Sequence, residues 1–202
     1  MNELAELEQV ERIKKWCRDY GFGIIAGIIF AIILSMFWYY WRQTQENNLI
    51  LASITYENLL NDSTQSDNRA YTLIQKYPNT PYASLAALQL AKQAVNQNKL
   101  TEAEKQLTWV TQHGKNETLR AMARVRLARV LLAENQPEHA LKILDENDNT
   151  IYQPLVFEEK GNIFLHLKDS TKALQNYLAA EKLFSKNAID QPLLSMQINS
   201  LD

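Results

Sequence analysis

The chain has 202 residues, a net charge of −2, 46% hydrophobic residues and one cysteine, Cys17. That length leaves room for a single hydrophobic core beside a short tail and a span. The near-neutral balance gives no electrostatic reason to expect a nucleic-acid partner, and a lone cysteine excludes a disulfide within the chain.

In residues 4–18, Leu7, Val10, Ile13 and Cys17 recur at helical spacing, with Leu4 and Trp16 beside them. Two readings stand, an amphipathic helix lying on a membrane surface and a frayed tail.

Residues 20–41, YGFGIIAGIIFAIILSMFWYYW, carry no charge and lie between Asp19 and Arg42. As a helix they reach about 33 Å, enough for a hydrocarbon core of about 30 Å. We expect a transmembrane helix. Arg12, Lys14, Lys15 and Arg18 precede it, and within a similar distance only Arg42 follows. That bias puts the N-terminus in the cytoplasm and exports the rest. Phe37 to Trp41 form an aromatic belt at the far interface. No small-x-small site follows the apolar run, which argues against a cleaved signal peptide. Gly23, Gly27, Ala31 and Ser35 recur every four residues, a stripe that lets a partner helix approach closely.

After Arg42 the pattern stays helical, and the span is expected to continue into the first helix of the exported domain. Leu49, Ala52, Tyr56, Leu59 and Leu60 make an apolar stripe there, and Asn61 to Thr64 read as a loop. A second helix is expected from about Asp67 to before Pro78. Thr80 and Pro81 signal another helix start, Thr101 and Glu104 match a capping box, Pro137 opens a further helix, and Asp190 suits the cap of a last one. Nothing reads as a sheet. The expected fold is all-α: a tail (1–19), a transmembrane helix (20–41) and an exported helical-repeat domain (42–202).

The repeat shows in four alanines. Ala70, Ala103, Ala140 and Ala173 are spaced by 33, 37 and 33 residues, close to the tetratricopeptide period of about 34. The first helices agree: Leu90-Ala91 with Ala94, Leu127-Ala128 with Leu131, Lys160-Gly161 with Phe164. Small residues mark where two helices cross closely, and large apolar ones fill the space between hairpins. We read three repeats, one divergent hairpin before them and one capping helix after.

Such solenoids bind with a concave surface lined by their first helices. By repeat position the inward residues are Leu85, Leu88, Lys92 and Val95, then Met122, Val125, Arg129 and Leu132, then Leu155, Glu158, Asn162 and Leu165. Two readings stand: a polypeptide-binding groove, or residues that are simply core. Signals for catalysis are missing. His113, His139 and His166 form no H-E-x-x-H pair, and there is no Gly-rich phosphate loop and no G-x-S-x-G. Glu158-Glu159 and Glu102/Glu104 read as solvated faces and caps. No enzyme, cofactor or metal is expected.

The chain resembles the YfgM-like proteins, ancillary subunits of the bacterial Sec translocon. The resemblance rests on Glu8-Gln9-Val10-Glu11, Ile13-Lys14-Lys15-Trp16, Tyr20-Gly21, Trp38 to Arg42, Tyr82 to Leu88, Leu127-Ala128-Arg129-Val130 and Met196 to Leu201. It implies a single-span inner-membrane protein with a periplasmic tetratricopeptide-like domain. It further implies association with the SecYEG channel and a PpiD-like periplasmic chaperone, and a part in passing exported polypeptides to chaperones. Two alternatives remain: a membrane-tethered regulator of a stress response acting through residues 1–19, and a repeat scaffold for another envelope assembly.

Overall fold

The structure is a computed structural model that describes residues 2–61, 66–147, 149–186, 189 and 191–201. Within the first helix the side chains of residues 2–13, 17–19, 21, 24 and 25 fall outside the description. Asp190 and residues 62–64, expected as a cap and a loop, lie outside the described residues, as do most side chains on which the amphipathic reading of 4–18 depends.

Nine helices make up the described chain, with no strand among the described residues. α1 runs from Asn2 to Asn61. The chain divides into two compact units, Met1–Asn48 and Leu49–Asp202.

Among the described residues the first unit consists of the N-terminal part of helix α1, up to Asn48. Its described side chains from Ala26 to Trp41 are all exposed, the aromatic run Phe37 to Trp41 included. Trp38 and Trp41 pair at 5.4 Å between ring centroids. At Gly23 and Gly27 an added Cβ would meet nothing within 4 Å. Among the described residues no helix is long and apolar enough to cross a membrane.

In the second unit the end of α1 is followed by α2 (Ser66–Lys76), α3 (Pro81–Asn96), α4 (Leu100–His113) and α5 (Glu117–Ala133), then α6 (Pro137–Asp145), α7 (Gln153–His166), α8 (Ser170–Lys186) and α9 (Pro192–Asn199). Proline places the boundaries. Pro81, Pro137, Pro154 and Pro192 sit in first turns, where no backbone N–H is needed, and Pro78 follows α2. Asn116 caps α5 by accepting from the Leu119 N–H at 3.1 Å.

Two cap expectations are corrected. Thr80 precedes α3 as expected, but its hydroxyl donates back to the Tyr77 carbonyl at 2.8 Å instead of capping the helix. The Thr101/Glu104 box does not form. α4 starts at Leu100 with Lys99 before it, so Thr101 already lies inside the helix, and its hydroxyl reaches Glu134 Oε1 at 3.4 Å.

The repeat register holds. Ala70, Ala103, Ala140 and Ala173 are all buried, as are Ala91, Ala128 and Gly161 on the first helices. The hairpins are α3–α4, α5–α6 and α7–α8. Each turns at one residue in the left-handed region: Asn98 at φ 58°, Asn135 at φ 60° and Lys168 at φ 61°. In each, the following N–H donates to a carbonyl five residues back, Lys99 to Ala94 at 2.8 Å, Gln136 to Leu131 at 2.8 Å and Asp169 to Phe164 at 2.9 Å.

One core cluster runs from α3 to α7 and includes Leu107, Leu131, Leu144 and Ile163. A second joins Ala52 and Leu59 of α1 to Leu73 of α2 and Ala86 and Leu90 of α3. A third holds α9 against α8 through Tyr177, Ala180, Phe184, Leu194 and Ile198, so α9 acts as the capping helix.

Candidate functional site

The first helices α3 and α5 lie side by side, as adjacent tetratricopeptide units require, and between them opens a cavity of about 400 Å³. Leu88, Lys92, Val95 and Arg129 line it, and all four belong to the inward set expected from the repeat positions. Leu88 contributes an edge to its floor, with Leu100, Leu107 and Val130. Lys92, Val95 and Arg129 are exposed. Spacing explains this: positions 88, 92 and 95 follow one another at i+4 and i+3 on one helical face.

Other inward residues sit elsewhere. Val125, expected on the open face, is only 3% exposed and belongs to the core between the helices. Leu88 is 5% exposed. An aspartate at either would carry its charge into a buried site. Leu85, Met122 and Leu155 are half-buried, the last two packed against the main core. Asn162 is turned to the third cluster, its Oδ1 accepting from the Tyr177 hydroxyl at 2.8 Å and from Gln197 Nε2 at 3.3 Å.

The structure adds two residues to the cavity's chemistry. Arg126 lines it one turn before Arg129, an i, i+3 spacing of two arginines that is visible in the sequence. Glu159, read as part of a solvated face, is 4% exposed. It accepts from Arg129 Nε at 2.6 Å and pairs with Nη2 at 2.5 Å, while the arginine itself stays half exposed. A carboxylate this buried needs such a partner. Burial, and then the neighbouring Glu159 carboxylate, push Glu158 above the ordinary glutamate range, against the pull of Arg129. Tyr177 is likewise raised, by burial first and then by Glu159 and Glu158.

A second cavity, about 630 Å³, opens between the second helices α2 and α4. Trp109 stacks on His113 there at 5.4 Å, and Glu104 and Lys105 both line it. The three histidines are on separate helices, His166 Nε2 lying 3.1 Å from Asn135 Oδ1. Among the described residues, no three side chains of His, Cys, Asp or Glu gather to hold a metal ion.

Stacked hairpins with buried alanines at their crossings and a cation-rimmed apolar cavity on the first-helix face define a helical-repeat interaction protein. The family profile described as "Tetratricopeptide repeat-like domain" matches residues 14–202, and the chain belongs to that family. As the sequence resemblance indicated, its relatives are translocon proteins by name. It is 28% identical over 199 residues to the "Ancillary SecYEG translocon subunit" of Escherichia coli (strain K12), covering 97% of this chain and 96% of the relative. It is 29% identical over 205 residues to the protein of that name from Neisseria gonorrhoeae, covering 98% of each. The Haemophilus influenzae protein of that name is 25% identical over 203 residues, again covering 98% of each. No solved structure is similar to the chain.

Proposed function

We propose that this protein is a membrane-anchored interaction module of the Sec translocon. Residues 20–41 cross the bacterial inner membrane with the N-terminus in the cytoplasm, and residues 42–202 form the periplasmic repeat domain. The first-helix face of that domain engages polypeptides, and the protein helps pass exported chains to periplasmic chaperones, a PpiD-like one among them. The role is non-catalytic. The small-residue stripe Gly23, Gly27, Ala31 and Ser35 faces a partner helix in the bilayer.

The carrying observation is that relatives named as ancillary SecYEG translocon subunits align over nearly the whole of both chains. The alignment therefore takes in the uncharged stretch as well as the repeats. The open cavity between α3 and α5 supplies a surface on which such a role can be performed.

The test is purification of the full chain from membranes in mild detergent. SecYEG subunits should co-purify, and removal of residues 2–19 should leave them bound. A preparation free of SecYEG, or one that loses it with the tail, sinks the translocon reading.

A further inference from the structure

The cavity between α3 and α5 has three cations at its rim, Lys92, Arg126 and Arg129, and no carboxylate in its lining. In a chain of net charge −2 this is a local excess of positive charge. Arg129 is committed to Glu159. Lys92 and Arg126 are exposed, and neither is in an ion pair among the described residues. The apolar side chains of Leu88, Val95 and Val130 share the lining. The cavity between the second helices differs, because Glu104 and Lys105 share its wall.

We infer that the α3–α5 cavity selects acidic amphipathic polypeptide segments, seating an apolar side chain on Leu88, Val95 and Val130 while carboxylates meet Lys92 and Arg126. This rests on the reading of the first-helix face as a polypeptide site and adds which polypeptides it takes. The apolar floor contributes affinity in proportion to area removed from water. Lys92 and Arg126 contribute discrimination: they attract carboxylates and repel a basic segment of the same shape. A phosphate backbone or a lipid headgroup would use the cations and leave the floor unfilled. Arg129 is a positioning residue here: held from below by Glu159, it keeps that carboxylate's charge away from the incoming segment.

The experiment uses the full chain in nanodiscs of phosphatidylcholine and two fluorescein-labelled helical peptides of about five turns. Both carry leucines on one face; one has glutamates on its flanks and the other lysines. Two partly exposed ion pairs are together worth about tenfold in affinity. The glutamate peptide should therefore bind at least about tenfold more tightly by fluorescence anisotropy, after subtraction of empty nanodiscs. Added salt should shrink the difference. Lys92→Glu with Arg126→Glu should reverse the preference, with helical circular dichroism unchanged. If that variant loses helicity, Lys92→Gln with Arg126→Gln should abolish the preference instead. Equal affinity for the two peptides, binding no stronger than to empty nanodiscs, or a preference that survives the substitutions overturns the inference. Capture of phosphatidylglycerol vesicles by Lys92 and Arg126 without a peptide preference also overturns it. SecYEG co-purification without the preference removes only this inference, and the preference without SecYEG removes only the translocon role.

Discussion

Gly161 on α7 lies directly beneath the ring of Tyr177 on α8: a Cβ at 161 would run into Cδ1 and Cε1 of the ring. The tyrosine is completely buried, and its hydroxyl donates to Asn162 Oδ1 at 2.8 Å, one residue along α7. Ring and hydroxyl together lock α8 against α7. A glycine inside a helix costs about 1 kcal/mol relative to alanine, and here the close crossing is what it permits.

Gly161→Ala should therefore destabilise, although alanine is the better helix former. Overpacking of this kind costs roughly 1–3 kcal/mol. Ala173→Leu, at the matching position on α8 and also completely buried, should cost a similar amount. Urea unfolding of a fragment spanning residues 42–202 checks both. Unchanged midpoints would mean that α7 and α8 do not cross here.

The Glu158 carboxyl makes a pH-dependent prediction. Its folded-state pKa is raised by burial and by Glu159, so the folded protein binds this proton more tightly than the unfolded chain does. The stabilising contribution of the protonated form is present below the ordinary glutamate value and is lost as pH rises through the raised one. Glu158→Gln should melt higher than the parent at neutral pH, and the gap should close on acidification. A gap that widens as pH falls would contradict the burial of this group.

Lys168 occupies the left-handed turn position that asparagine fills at 98 and 135. A residue with a side chain other than asparagine's pays about 1 kcal/mol or more there. Lys168→Gly should raise stability by about 0.5–1 kcal/mol, part of the gain being offset by the freer unfolded chain. The same change at Asn98 should do less. Thermal melts of the two variants side by side decide it.

The membrane topology is testable with a fusion. A reporter active only in the periplasm, joined after Asp202, should be active. Activity of a cytoplasmic reporter at the same point, with silence of the periplasmic one, would place the repeat domain on the other side.

Local signals in the sequence determined the helices and the repeat register. Alanines 33, 37 and 33 residues apart must recur where two helices cross, since only a small side chain fits there. Prolines mark first turns because a helix does not need those N–H groups. The three left-handed turns, at 98, 135 and 168, left no equally clear mark, since lysine at the third position hides the pattern. Helical spacing also put Leu88, Lys92, Val125 and Arg129 on inward faces. It could not say which of them water reaches, because that depends on how closely neighbouring helices approach. The packing of α3 to α7 closes over Val125 and all but an edge of Leu88, and leaves Lys92 and Arg129 open. Glu159 is a further case: two adjacent glutamates read as solvated until α7 is packed among its neighbours, whereupon one is buried and must find Arg129, 30 residues away in the chain. Burial is a property of the assembled helices, and the carboxylate's need for a partner follows from the free energy of removing its charge from water.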